Sequence, residues 1–318
     1  MEFRHLRYFL TVAEAGHMTR AAERLGIQQP PLSLQIKALE QELGVALFER
    51  HPKGVSLTDA GRQFEQEARR LVDEMAAMQM RMARVARGEL GVLNVGFTSS
   101  AAAHAFTPEA LRACRRAWPG ITLSIREDHA AGITEAVASG RLHCGLIRVP
   151  VSQPEHLSFE VLLREPVLVA LPVDHPLAGA GPGSASRRGP RALALTDLRH
   201  EGFILVRQPG APGLYANLLA LCEAQGFRPR IAAEVERMGT SLNLVAAGAG
   251  IAVVPASMRG LHPQAVVYRP LADGTPVDAP LTLVYRTAEA SGPAAHFLKI
   301  VRDTARRHQA RGRRGPTR

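Results

Sequence analysis

The strongest constraint on the fold of this chain is a series of short amphipathic helices separated by glycines in its first sixty residues. The first helix is predicted by apolar residues at helical spacing, Leu6, Phe9, Leu10 and Ala13, and Gly16 ends it. Two short helices joined by a tight, glycine-containing turn are typical of a helix-turn-helix. The residues that follow therefore decide whether the chain is a reader of DNA.

The second and third helices complete this pattern. Thr19 is predicted to open the second helix as its N-cap, and Gly26 closes it. The third helix is predicted from Gln29, because prolines such as Pro30 and Pro31 are tolerated in a first helical turn. Its apolar positions recur about one turn apart, at Leu32, Ile36, Leu39 and Leu43.

The polar face of the third helix carries amides, a hydroxyl and a lysine, which can bond to base edges and phosphates in the major groove. After it, residues 47–58 predict two short strands around a basic turn, a wing beside the phosphate backbone. A generic helical domain with solvated glutamines is the alternative, and the ordered set of helices, prolines and basic hairpin favours the DNA reader. The predicted DNA contacts are Thr19, Arg20, Gln28, Gln29, Pro30, Ser33, Leu34, Gln35, Lys37, Arg50 and Lys53.

Residues 3–62 closely resemble the DNA-binding domain of LysR-type bacterial transcription regulators. The resemblance rests on the contiguous segments 21–33, 35–40 and 43–50, while 57–61 matches the family's entry into its linker helix. It implies a winged helix-turn-helix that binds double-stranded promoter DNA, with RNA polymerase as a further expected partner.

One position departs from this family pattern. The family usually places an arginine after the serine of the third helix, where it typically contacts DNA, and this chain has Leu34. The resemblance therefore implies that base reading is altered, weakened or shifted to Gln29, Ser33 and Gln35.

A single helix of about 30 residues is predicted to follow the wing, from Thr58 to Arg87. Its apolar stripe could pack on the chain's own C-terminal domain or on a second copy of the chain. A second copy is favoured because DNA readers of this size usually pair to cover two half-sites, and LysR-type proteins dimerise through this helix. We expect a homodimer or a dimer of dimers, that is, a homotetramer. The stripe alternates spacings of four and three, at Phe64, Ala68, Leu71, Met75, Met78, Met82 and Val85.

From residue 89 onward, strands and helices alternate, which predicts an α/β domain with a mainly parallel sheet. The order of elements, including one helix over Ala101–Trp118 and a strand over 167–172, describes two lobes joined by two crossings, a periplasmic-binding-protein-like fold that LysR-type regulators share. The predicted division is a DNA-binding domain over 1–58, a linker helix over 59–88, an effector domain over 89–304 (lobe I about 92–165 and 270–304, lobe II about 166–269, with a loop insertion over 179–192) and a basic disordered tail over 305–318.

The candidate effector-binding residues of this domain lie where its strands end. Hydroxyls at the start of the Ala101 helix can bind a carboxylate or simply cap the helix, and Arg148 can clamp a carboxylate or lie on the surface. Segment 145–150 resembles members of the family that respond to aromatic acids or their ring-cleavage products. Ala130 departs from relatives that have threonine or serine there, and Asp128 or His129 is expected to substitute for the missing hydroxyl. The candidates are Thr98, Ser99, Ser100, Asp128, His129, Ala130, Arg148, Arg207 and Leu214.

Composition adds little to the DNA-binding argument. The net charge is +10, but residues 305–318 contribute six arginines and no acidic residue, so the local pattern must carry the claim. The three cysteines are odd in number and far apart, which predicts buried thiols in a reducing cytoplasm and no metal site. No apolar run suggests a membrane span, and no secretory signal is expected.

An enzyme and a transport-type binding protein are the competing functions. Ser99 and Ser100 lie outside any G-x-S-x-G elbow, and the common zinc and nucleotide motifs are missing from the sequence. A transport protein would have a signal peptide and would lack a DNA-binding domain. We therefore expect no catalysis and no cofactor.

Overall fold

A computed structural model describes residues 1–150, 152–179, 192–206, 213–272, 277–288 and 292–313. The chain divides into two compact units, Met1–Arg84 and Val85–Arg318. Among the described residues, none of the helices combines the length and the apolar content needed to cross a membrane.

The N-terminal unit contains the predicted helices and the predicted hairpin. Phe9, Leu32, Ile36 and Leu39 are almost fully buried and form its core. The side chain of His17, not that of Thr19, caps the second helix, so the predicted N-cap is wrong. The elements are α1 (Phe3–Ala15), α2 (Met18–Leu25), α3 (Gln29–Leu43), β1 (Phe48–His51), β2 (Gly54–Leu57) and α4 (Asp59–Ala86).

The long helix α4 carries the predicted apolar stripe, and the two halves of the stripe differ in burial. Ala68 is buried in the N-terminal core, with Phe64 packed against it. Further along, Leu71, Met78 and Met82 are exposed. The second half of the stripe is therefore largely exposed.

The C-terminal unit consists of two α/β lobes. Lobe I is built around the strands β3, β4 and β5, and lobe II is built around the strands β7, β8 and β9. The elements are β3 (Gly91–Phe97), α5 (Ser99–Ala102), α6 (Phe106–Ala117), β4 (Ile121–Glu127), α7 (Ala130–Ala138), β5 (Cys144–Ile147), β6 (Leu157–Pro172), β7 (Gly202–Val206), α8 (Gly213–Ala224), β8 (Arg230–Val235), α9 (Met238–Ala246), β9 (Ala252–Pro255), β10 (Val266–Pro270), β11 (Asp278–Arg286) and α10 (Gly292–Arg313).

Two long strands connect the lobes. The first part of β6 pairs with β11, and its last residues pair with β9 and β10. Leu162 belongs to the core of lobe I, whereas Val167 belongs to that of lobe II. On β11, Leu281 and Ala279 divide in the same way. The lobes therefore meet at residues 163–166 of β6 and at the paired residues 279–281 of β11.

Three predictions about this unit need correction. The main sheet is mixed, because β6 pairs antiparallel with β9, β10 and β11, and β11 pairs antiparallel with β5, whereas β3–β4 and β3–β5 are parallel. The parallel pair β7–β8 forms a separate sheet. The helix predicted over Ala101–Trp118 is two helices, α5 and α6. The tail predicted to be disordered from residue 305 continues α10 as far as Arg313. The predicted loop insertion lies mostly outside the described residues.

Candidate DNA-reading and effector sites

Helix α3 presents the predicted DNA contacts on the side away from its core. Leu32, Ile36 and Leu39 anchor the helix. Gln29, Ser33 and Gln35 flank the buried face and are half-buried. The other predicted contacts are exposed, namely Thr19, Arg20, Gln28, Pro30, Leu34, Lys37, Arg50 and Lys53.

Hydrogen bonds within the unit already engage the three flanking polar side chains. The Gln29 Nε2 donates to the Ser33 Oγ at 3.2 Å. The His5 Nδ1 accepts from the Glu2 backbone N–H, so its Nε2 carries the proton and donates to the Gln35 Oε1 at 2.7 Å. The Gln35 amide therefore helps to join α1 to α3, a role that its spacing alone does not indicate.

Close backbone contacts hold the wing against the helices. The Val55 N–H donates to the Gly16 carbonyl at 2.9 Å. Gly54 has a φ of +140°, and a Cβ there would lie 2.2 Å from the Gly16 carbonyl oxygen, so this approach requires glycine. At the base of the wing, Glu40 of α3 accepts from the backbone N–H groups of Leu47 and Phe48. These contacts fix the position of Arg50 and Lys53 relative to α3.

The hydroxyls that follow β3 lie at a very short helix. Helix α5 has four residues, and the Thr98 Oγ1 caps it by accepting from the Ala101 N–H at 3.3 Å. Ser100 is buried, with its Oγ 3.4 Å from the Thr98 Oγ1. A helix this short has little dipole to offer an anion, so the capping role that we considered accounts for Thr98.

Arg148 does not lie on the surface but in a buried contact where the lobes meet. Its Nη1 is 2.6 Å from the Glu165 Oε1, and its Nη2 donates to the Ser257 Oγ at 3.0 Å and to the Ser100 carbonyl at 2.6 Å. Arg148 follows β5 of lobe I, Glu165 lies on the crossing strand β6, and Ser257 follows β9 of lobe II. The guanidinium is therefore already paired with a carboxylate, unlike the open clamp that the sequence suggests.

Glu165 extends this contact into lobe II. Its Oε2 accepts from the Ser257 N–H at 2.6 Å, and its Oε1 accepts from the Ser257 hydroxyl at 2.9 Å. The Thr282 hydroxyl of β11 donates to the Arg148 carbonyl at 2.7 Å. Both interlobe strands are thus bonded to the pair. No pattern in the sequence points to Glu165, Ser257 or Thr282.

Burial sets the electrostatics of this region. Desolvation lowers the pKa of Arg148, and Glu165 opposes that shift. The pKa of the nearby His104 is also lowered, first by burial and then by Arg148 and His308, against an opposing effect of Glu165. His104 accepts the Phe106 N–H through its Nδ1 at 3.0 Å, where α6 begins.

The candidates before α7 are engaged locally. The His129 Nδ1 accepts the Gly132 N–H at 2.9 Å and caps α7, of which Ala130 is the first residue. The Asp128 carboxylate accepts from Arg126 at 3.0 Å and from the His129 N–H. Arg207 lies outside the described residues, and so does the side chain of Leu214 in α8.

Together these features define a helix-turn-helix regulator with a two-lobed small-molecule-binding domain, and sequence comparison identifies the family. Residues 3–62 match the bacterial regulatory helix-turn-helix protein, lysR family, and residues 86–306 match the LysR substrate binding domain. The chain belongs to the LysR family and is a DNA-binding transcriptional regulator.

Relatives and solved structures of this family align along nearly the whole chain. The regulator AlsR of Bacillus subtilis (strain 168) is 36% identical over 305 residues, which cover 94% of this chain and 95% of AlsR. TfdS of Cupriavidus pinatubonensis is 36% identical over 306 residues, covering 95% and 98%. The crystal structure of CbnR matches with a TM-score of 0.76 at 31% identity, covering 95% and 100%, and that of CbnR with its target DNA matches with 0.75, covering 96% and 100%.

Proposed function

We propose that this regulator binds promoter DNA in the cytoplasm as a homodimer or dimer of dimers and changes transcription when a small carboxylate binds its effector domain. It does so without catalysing a reaction. The observation that carries the proposal is the buried contact Arg148–Glu165–Ser257, which joins the two lobes of the effector domain within a chain that also has a DNA reader.

A carboxylate effector is supported by the unsatisfied bonding capacity of Arg148. Its Nε is buried and has no hydrogen-bond partner among the described residues. A buried donor without a partner is costly, so a ligand oxygen that reaches it gains an unusually favourable bond. Reaching Nε requires the lobes to move, because Nε is buried while the lobes are in contact. An effector that binds one lobe arrangement better than the other shifts the equilibrium between them.

The effector class we favour is an aromatic acid or one of its ring-cleavage products, because segment 145–150 resembles members that respond to such acids. A different effector class is the second candidate, and a specific observation favours it. Ala130 offers no hydroxyl, and the Asp128 carboxylate beside it repels a second acid group.

DNase footprinting on the DNA upstream of the gene and of its nearest divergent neighbour tests the proposal. The purified protein is tested with competitor DNA, with and without a panel of aromatic acids and muconates. We expect a protected dyad whose pattern shifts with one acid. Protection that ignores every acid contradicts the effector class, and the absence of selective protection contradicts the proposal as a whole.

The DNA-reading face is tested by Gln29→Ala combined with Ser33→Ala. Because these side chains are assigned to base edges, the double variant should lose selective binding and keep its non-specific affinity. The control is Lys53→Ala, which removes a phosphate contact and should weaken binding to all sequences alike. Equal loss of selective and non-specific binding by the double variant contradicts the assignment.

A further inference from the structure

The part of α3 that points most directly away from its core is apolar, and Leu34 lies at its centre. Leu34 is two residues from both Leu32 and Ile36, which places it about 160° around the helix from each of these buried side chains. Its side chain is 66% exposed, the largest fraction among the large hydrophobic side chains of the described residues. The helix is thus apolar on two opposite faces.

The neighbours of Leu34 extend this surface along the helix. Pro30 lies one turn before it and Ala38 one turn after it, and both are exposed. The polar side chains Gln29, Ser33 and Gln35 stand to the sides and bond within the unit. Over Pro30, Leu34 and Ala38, the middle of the face that α3 would present to a groove is therefore a narrow strip of hydrocarbon, and the exposed Gln41 ends it near the C-terminus of the helix.

We infer that Leu34 reads a thymine in the major groove through the 5-methyl group of the base. Among the four bases, only thymine presents a methyl group there, and apolar side chains recognise it by contact. This inference rests on the proposed function, because it takes α3 as the helix that enters the groove. The strip is one side chain wide and has the exposed cation Lys37 beside it, which suits a charged groove better than a flat protein interface.

Removing a single methyl group from the DNA tests the inference. The full-length protein first selects duplexes from a random pool, and each thymine of a selected duplex is then replaced by deoxyuridine. At one thymine in each half-site, this replacement should weaken binding about fourfold, the effect of burying one methyl group. Leu34→Ala should bind the thymine and deoxyuridine duplexes equally at that position.

The matched control is Val45→Ala, which removes an exposed apolar side chain just beyond the end of α3. It should keep the dependence on the methyl group. A wild-type protein that is indifferent to deoxyuridine, or a Leu34→Ala variant that is as sensitive as the wild type, overturns the inference alone. Changed sedimentation of Leu34→Ala without DNA also overturns it, because Leu34 then contacts protein. Selection of no preferred duplex overturns the proposed function and the inference together.

Discussion

At the scale of single residues, the pair formed by Arg148 and Glu165 is the most consequential feature of the effector domain. Both side chains are at most about one-tenth exposed, and each is bonded to the opposite lobe through Ser257. Taking two charges out of water is costly, and only close pairing with further hydrogen bonds offsets it. The pair is therefore sensitive to the loss of either member.

Arg148→Ala should lower the free energy of unfolding by about 3–5 kcal/mol, because it leaves the Glu165 charge buried with a hydroxyl and an N–H as its remaining partners. Adding Glu165→Gln to Arg148→Ala should restore part of the loss. Urea unfolding measures both effects. The control is Arg164→Ala, which breaks an exposed pair with Asp278 and should cost less than about 1 kcal/mol. A double variant no more stable than Arg148→Ala contradicts this account.

His104 makes stability depend on pH. Its pKa in the folded chain is lowered below the ordinary histidine value of about 6.5, mainly by burial, and its surroundings include Arg148, Glu165, His308 and Phe106. The unfolded chain therefore binds the proton more tightly. The contribution of neutral His104 is complete above about pH 6.5 and is lost as the pH falls towards the lowered pKa.

His104→Asn should flatten the fall in urea midpoint below about pH 6.5, since asparagine can still accept the Phe106 N–H but does not titrate. The exposed His200 gives the control, and His200→Asn should leave the profile unchanged. An unaltered profile for His104→Asn would show that other groups dominate acid destabilisation.

The residues that sequence reasoning missed share one property, namely partners that are distant in the chain. The Arg148–Ser257 bond spans 109 residues, and the Gln35–His5 bond joins two helices. Spacing predicts which residues share a helix face, but not which side chains meet once elements pack. The wrong N-cap has a different cause: Thr19 fits the statistical preference, yet the imidazole of His17 accepts the same kind of backbone bond.

At the scale of elements, the prediction was most accurate where the pattern was short and local. Gly16 ends α1 and Gly26 ends α2, as expected. The break between α5 and α6 was missed because neither glycine nor proline marks residues 103–105. Pro108 was the available signal, since proline is tolerated in the first turn of a helix. The sequence does not predict the first half of β6, because few of its side chains are buried and its strand conformation depends on pairing with β11, about 120 residues away.

The stripe of α4 predicts how the chain assembles. Met78→Asp combined with Met82→Asp should convert the homodimer or tetramer into smaller species, because each change places a charge in an apolar seam. Sedimentation equilibrium measures the mass. Met80→Asp is a matched control, since Met80 is 65% exposed on the same helix, two residues beyond Met78, and lies off the stripe. Equal dissociation by Met80→Asp, or none by the double variant, contradicts assembly through this stripe.

At the scale of the whole effector domain, one buried contact and one exposed contact join the two lobes. The buried contact around Arg148 lies at the crossing strands. A second contact is exposed, where the Arg237 Nη1 of lobe II donates to the Glu127 Oε1 of lobe I at 2.6 Å. Arg237 is the N-cap of α9, and Glu127 ends β4. Exposed pairs contribute little to stability, about 0–1 kcal/mol, but an equilibrium between lobe arrangements responds to changes of that size.

Glu127→Gln should therefore broaden the distribution of distances between the lobes while hardly changing the urea midpoint. Spin labels are attached at Arg116→Cys and Gln225→Cys, two positions that are exposed in the wild type. Pulsed electron paramagnetic resonance then measures the distance between the labels in full-length protein diluted with unlabelled chain. The native cysteines Cys114, Cys144 and Cys222 are buried and should resist labelling.

High salt should give the wild type the same broad distribution, because screening weakens exposed pairs. Glu135→Gln breaks an exposed pair with Arg141 within lobe I and should leave the distribution narrow. If Glu127→Gln also leaves it narrow at low salt, the buried contact alone sets the lobe arrangement.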